Sequence, residues 1–200
     1  MIIKLSNYPN VLIPELLQAQ PDAKGIIVTN DLRSFLKAVV RKGLMGRQWG
    51  RQVCLIARGY AGNLDHLTLE ALAGLTDLQL AGLGWLLTQN WFDEHLNGTY
   101  SDRLRTVHSD TFNQNRAQTI KAAARHFDLA IAPPDIAAIV EGPVFTSHAK
   151  VGGNYAAKEA LDNKRSQSAV NDEEMAAVEK WIAQLADASK LTVPVPETLL

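Results

Sequence analysis

Cysteine occurs once in the 200 residues, which excludes an intrachain disulfide and suits a reducing, cytoplasmic compartment. That residue, Cys54, stands inside the apolar run Val53-Cys54-Leu55-Ile56-Ala57. It reads as a small buried hydrophobe, because a reactive thiolate needs an exposed, electropositive setting. Long hydrophobic runs are also missing. The longest charge-free apolar region, Leu78 to Phe92, is shorter than the roughly 18 residues of a membrane span and is interrupted by Gln79, Gly82, Gly84, Gln89 and Asn90. Met1 to Leu5 is too short for the apolar core of a secretory signal, so neither a signal nor a membrane segment is expected. An excess of positive charge is absent too. A formal charge of −1 and a pI near 6.5 exclude a surface built throughout for nucleic acid.

The motifs that announce chemistry are absent as well. The histidines form no HExxH and no i, i+4 pair, the lone cysteine no CxxC, and no serine lies in a GxSxG elbow. Gly43 to Gly46 and Gly59 to Gly62 are glycine-containing turns without the lysine and hydroxyl of a phosphate-binding loop. No cofactor and no metal is therefore expected.

What is present is an ordinary globular composition, 46% apolar and 20% charged, with its charges sorted into blocks. Seven basic side chains and no acidic one lie between Arg33 and Arg58. Residues 59 to 102 carry Asp65, Glu70, Asp77, Asp93, Glu94 and Asp102 without a lysine or arginine, and residues 103 to 126 carry Arg103, Arg105, Arg116, Lys121 and Arg125 against Asp110.

Local patterns give the elements. Met1 to Ser6 and Ile26 to Val28 read as strands, with a short helix from Pro14 to Gln20 between them. Thr29-Asn30-Asp31 supplies capping side chains for a helix whose apolar stripe is Leu32, Phe35, Leu36, Val39 and Val40, closed by Gly43. Leu44 to Gln52, rich in glycine and cations, reads as a loop, and Val53 to Ala57 as a third strand, so the first sixty residues predict a small, mostly parallel sheet. Beyond it come helical patterns: Leu64 to Ala73, a capping box at Thr76 and Gln79 opening an all-apolar helix to about Leu96, and a helix capped at Ser109 or Asp110 and ending near Arg125. Pro133-Pro134 is read as a stop, with a further turn or two of helix from Asp135 to Glu141. Gly142 to Gln167 reads as a loop, followed by a helix capped by Asn171 with a Met175, Val178, Trp181, Ile182, Leu185 stripe and an extended tail through Val193-Pro194-Val195-Pro196. The expected fold class is α+β: a predominantly helical body with a small N-terminal sheet. The expected organisation is a main domain over 1–141 (sheet in 1–60, helical body in 64–141), a linker over 142–169, and a helix and tail over 170–200 packed on the main domain.

Two functions compete. In the first, a non-catalytic regulatory or inhibitory protein binds a protein or nucleic-acid partner through Arg33, Lys37 and Arg41 on a helix and Arg47, Trp49 and Arg51 on the following loop, the tryptophan stacking on a base. The plainer use of the same charges is pairing with the acidic block, within the fold or across a homo-oligomer. In the second, a small hydrolase-like or metal-dependent enzyme draws on His95, His108, Asp93 and Asp110. Both histidines stand where helix ends are expected, and there such residues commonly serve as caps.

Overall fold

The computed structural model describes residues 2–5, 8–61, 67–146, 160, 172–191 and 193–200. The fold is α+β and predominantly helical, with a two-stranded parallel sheet. After a 3-10 turn, Tyr8–Leu12, come α1 (Ile13–Ala19), β1 (Gly25–Thr29), α2 (Leu32–Arg41), α3 (Gly43–Arg58), α4 (Leu69–Ala73) and α5 (Asp77–Leu96). Then follow β2 (Leu104–His108), α6 (Ser109–Gln114), α7 (Arg116–His126), α8 (Pro133–Glu141), α9 (Pro143–Thr146) and α10 (Asp172–Ala188).

α5 is the axis of the molecule. Its start is fixed as the capping box requires: Thr76 Oγ1 accepts from the Gln79 amide at 3.2 Å, and Gln79 Oε1 accepts from the Thr76 amide at 2.9 Å. Its apolar side chains point all round, so it is stable only when covered on every side. α2, α3 and α10 provide that cover, and Leu36, Val39, Cys54, Leu83, Leu86, Leu87, Met175 and Ile182 meet in one core. A second cluster joins Ile13 and Leu17 of α1, Ile27 of β1, Phe92 and Leu96 of α5, Leu104 of β2 and Val195 of the tail.

The largest departure from expectation is α3. Leu44 to Ala57 is neither loop nor strand but part of one sixteen-residue helix. Its glycines are packing positions: a Cβ on Gly50 would stand 2.8 Å from Ala81 Cβ, and Gly46, Gly50, Cys54 and Ala57 line up as a buried stripe of small residues facing α2 and α5. Gly43 has φ +60°, the left-handed value that lets α2 stop and α3 begin immediately.

The sheet also differs from the one expected. β1 pairs in parallel with β2, Gly25 opposite Leu104 and Thr29 opposite His108. Ile2 to Leu5 form no strand. The outer side of β2 is held by the tail, where the Thr106 carbonyl accepts from the Thr198 and Leu199 amides at 3.2 and 3.0 Å and the Thr106 hydroxyl donates to the Pro196 carbonyl. Val195 is buried, so the tail contributes to the core. His108, rather than Ser109 or Asp110, caps α6, and the chain turns at Asn115 into a separate α7. Pro133 and Pro134 start α8 instead of stopping the chain, because proline's missing N–H is no loss in a first turn.

α4 is capped by Thr68; Leu64 of the helix expected there lies outside the described residues. Of the loop expected over 142–167, Gly142 caps the end of α8 and Pro143–Thr146 is helical, and apart from Ala160 the remainder lies outside the described residues, as does Asn171. No helix among the described residues is long and apolar enough to cross a membrane.

Candidate functional site on the α2–α3 face

The seven cations fall on α2, α3 and the residue between them. Arg47 and Arg51 are therefore on a helix and not on a loop. α2 begins where the Asp31 carboxylate accepts from the Ser34 amide at 2.7 Å and buries Phe35, Leu36, Val39 and Val40, which turns Lys37 and Arg41 outward. α3 buries Gly46, Gly50, Val53, Cys54 and Ala57 and presents the opposite side to solvent. Burial pushes the Cys54 thiol up to about 11, as befits an inert core cysteine.

Several of these charges have partners. Arg33 makes a two-pronged contact with Glu179 of α10, Nε and a terminal guanidinium nitrogen both reaching the carboxylate at 2.9–3.1 Å, with Asp172 at 3.6 Å. The Glu179 contact holds the guanidinium's pKa above its ordinary value. Arg51 meets Asp77 at 2.9 Å, joining the basic block to the acidic one. Trp49 is half-buried against Phe35, ring centroids 5.7 Å apart, and carries Lys42 over its ring at 5.1 Å. Among these cations stand four exposed aliphatic residues: Leu44 at 71% exposure, Met45 at 79%, Leu55 at 54% and Ile56 at 41%.

The second basic group has mostly structural work. Arg103 gathers the carbonyls that end α1, Leu17 at 2.9 Å, Gln20 at 3.2 Å and Pro21 at 2.6 Å, and lies over the Tyr100 ring. Arg105 donates to the Ser101 and Leu104 carbonyls, and Arg116 lies over Phe145; Lys121 and Arg125 are exposed. Arg103→Ala is expected to cost about 1–3 kcal/mol, because carbonyls at a helix end lose their donor. Arg103→Lys should recover little of it, since an ammonium cannot reproduce the guanidinium fork. Urea titration of both variants checks this.

Among the described residues, His95 and His108 do not share one site. His95 Nδ1 lies 2.8 Å from the Trp91 carbonyl and its ring stacks near Tyr100, while Asp93 accepts from the Asn97 side chain at 2.8 Å. His108 and Asp110 stand instead with Asp31, at the carboxyl ends of the two strands, with one ligand atom from each lying within 4.8 Å of the others. These three could hold a cation among the described residues, but two already serve helix starts. Asp31 caps α2, and His108 Nδ1 accepts from the Asp110 amide at 3.2 Å. Partial burial opposes the ionisation of Asp31, yet the Ser34 hydrogen bonds and the nearby His108 hold its pKa below the usual carboxylate value.

Two depressions carry polar groups. One, about 100 Å³, lies among Asp93, Asn97, Ser101, Arg105 and Thr198; the other, about 90 Å³, among Asn30, Thr29, Thr88 and Gln89. Both are well below the roughly 300–1,000 Å³ of small-molecule pockets. Comparison with protein-family models, with curated proteins and with solved structures gave no significant match.

Proposed function

We propose that this is a non-catalytic binding protein that engages an acidic protein partner through the exposed side of α2 and α3 and modulates that partner by covering its surface. The observation that carries the reading is the composition of that side: the cations of two adjacent helices with no carboxylate on either, interleaved with exposed Leu44, Met45, Leu55 and Ile56. Cations steer an acidic partner and set its orientation, while exposed aliphatic side chains suit a protein surface better than a phosphate backbone. The packing of Trp49 against Phe35 and under Lys42 leaves less of its ring for a base to stack on, which favours a protein partner over nucleic acid. A reducing, cytoplasmic setting agrees with the single buried cysteine.

The test is a titration of the purified protein with poly-L-glutamate and with single- and double-stranded DNA at low and moderate salt. Binding to polyglutamate should weaken with salt, and Lys37→Glu/Arg47→Glu should lower the affinity at least about tenfold, since like charges now face each other. Tighter binding to DNA, with a salt slope reduced by about 1 for each arginine removed, would replace the protein partner with nucleic acid. Polyglutamate binding indifferent to the double reversal would remove this face from consideration.

A further inference from the structure

The four exposed aliphatic residues of α3 are arranged in a way that points to a particular occupant. Leu44 and Leu55 are eleven positions apart, as are Met45 and Ile56. Eleven residues make three turns to within about 20°, so each pair lies along one line parallel to the helix axis, its members about 16 Å apart. The two lines are about 100° apart around the helix, both on the side opposite the buried Gly46, Gly50, Val53, Cys54 and Ala57. Between the aliphatic ends are polar side chains, Gln48, Arg51 and Gln52. The midpoints of the two lines fall on either side of Gly50, within one residue of each other. This pattern reads nearly the same in both directions.

We propose that the outer face of α3 is the contact of a two-fold homodimer, with α3 of a second copy of this chain packed antiparallel against it. A two-fold axis at the level of Gly50 places Leu44 against Leu55 of the other copy and Met45 against its Ile56, and repeats both contacts at the far end. An isologous interface requires such a patch, complementary to itself. In the middle, Gln48 comes opposite Arg51 of the other copy, and its side-chain carbonyl can accept from the guanidinium. The two Arg51 groups near the axis do not oppose each other as bare charges, because each carries its own Asp77 at 2.9 Å. Two helices meeting along one face form an interface at the small end of the specific range, so the dimer is weak, with Kd on the order of 10 μM. The inference rests on reading this side of the molecule as a protein contact. What it adds is the identity of one occupant, and it leaves Lys37 and Arg47 to the acidic partner.

Sedimentation equilibrium of the full chain, from about 1 μM to about 1 mM to span that Kd, should show a monomer–dimer equilibrium. Met45→Glu/Leu55→Glu removes one member of each contact and places carboxylates in the apolar clusters. It should weaken dimerisation at least about 100-fold, in line with loss of central apolar anchors, while leaving the circular dichroism melt within about 2 °C, as expected for exposed positions. Register has its own readout: Leu44→Cys/Leu55→Cys should cross-link between copies under mild oxidation, whereas Leu44→Cys alone should not. A chain monomeric at the highest concentration, or a dimer indifferent to the glutamate pair, overturns the proposal. Sedimentation of Lys37→Glu/Arg47→Glu separates the two readings: that variant should lose polyglutamate binding yet still dimerise, since neither residue belongs to the Leu44–Leu55 or Met45–Ile56 contacts.

Discussion

Leu86→Ala is expected to lower the unfolding free energy by about 2–5 kcal/mol, the range for deleting a buried leucine side chain. Leu86 is 0% exposed at the middle of α5, in the core that α5 shares with α2, α3 and α10. The cost has two parts, the lost transfer of about three carbons from water and the cavity they leave, and a site enclosed by several elements collapses poorly. Urea denaturation checks it against Leu69→Ala, an exposed position on α4 that should change stability by no more than about 0.5 kcal/mol. Equal effects at the two positions would show that the core has been placed on the wrong helix. Unfolding of this core would also release α3 and with it the face proposed for binding.

How far the sequence could be read depended on whether a signal was local. The capping box at Thr76 and Gln79, the unbroken apolarity after it, and the cap and stripe of α2 all lie within one element, and the structure has them where the residues indicate. α3 was obscured by its own packing solution. Gly46 and Gly50 resemble loop punctuation, yet Gly46, Gly50, Cys54 and Ala57 recur at helical spacing, and a stripe of small residues was the signal available for a helix pressed against another. β2 is five residues long and finds its partner only across α2 to α5, so no neighbouring residue could have indicated the pairing. The candidate site divides in the same way. That residues 33–58 are basic was plain, but Arg33 is engaged by Glu179, 146 positions away, and no charge pattern along the chain identifies such a partner. His108 and Asp110 were visible as a pair, whereas their proximity to Asp31 follows from the parallel register of the two strands.

Gly84→Ala is expected to be the most damaging single-methyl addition in α5. A Cβ at Gly84 would stand 2.8 Å from the Cys54 amide nitrogen, 2.9 Å from its Cα and 3.2 Å from the Val53 carbonyl carbon. All three are backbone atoms of α3, so no side chain can rotate away and the two helices must separate. Overpacking of this kind costs about 1–3 kcal/mol, and contact with backbone that cannot yield puts Gly84 toward the upper end, above the roughly 1 kcal/mol that alanine gains over glycine in a helix. Gly82→Ala is the internal comparison. There the added methyl meets Ile182 Cγ1 and Val178 Cγ1 at 3.1 Å, side-chain atoms of α10 that can yield by a few tenths of an ångström. Its cost should therefore be offset largely by the propensity gain, giving a net change within about 1 kcal/mol. Urea titration of the two variants tests the order. A Gly84→Ala protein as stable as Gly82→Ala would mean that α3 does not approach α5 closely there. Because that approach fixes which side of α3 is buried, the same result would also reorient Leu44, Met45, Leu55 and Ile56 and remove the basis for a self-complementary outer face.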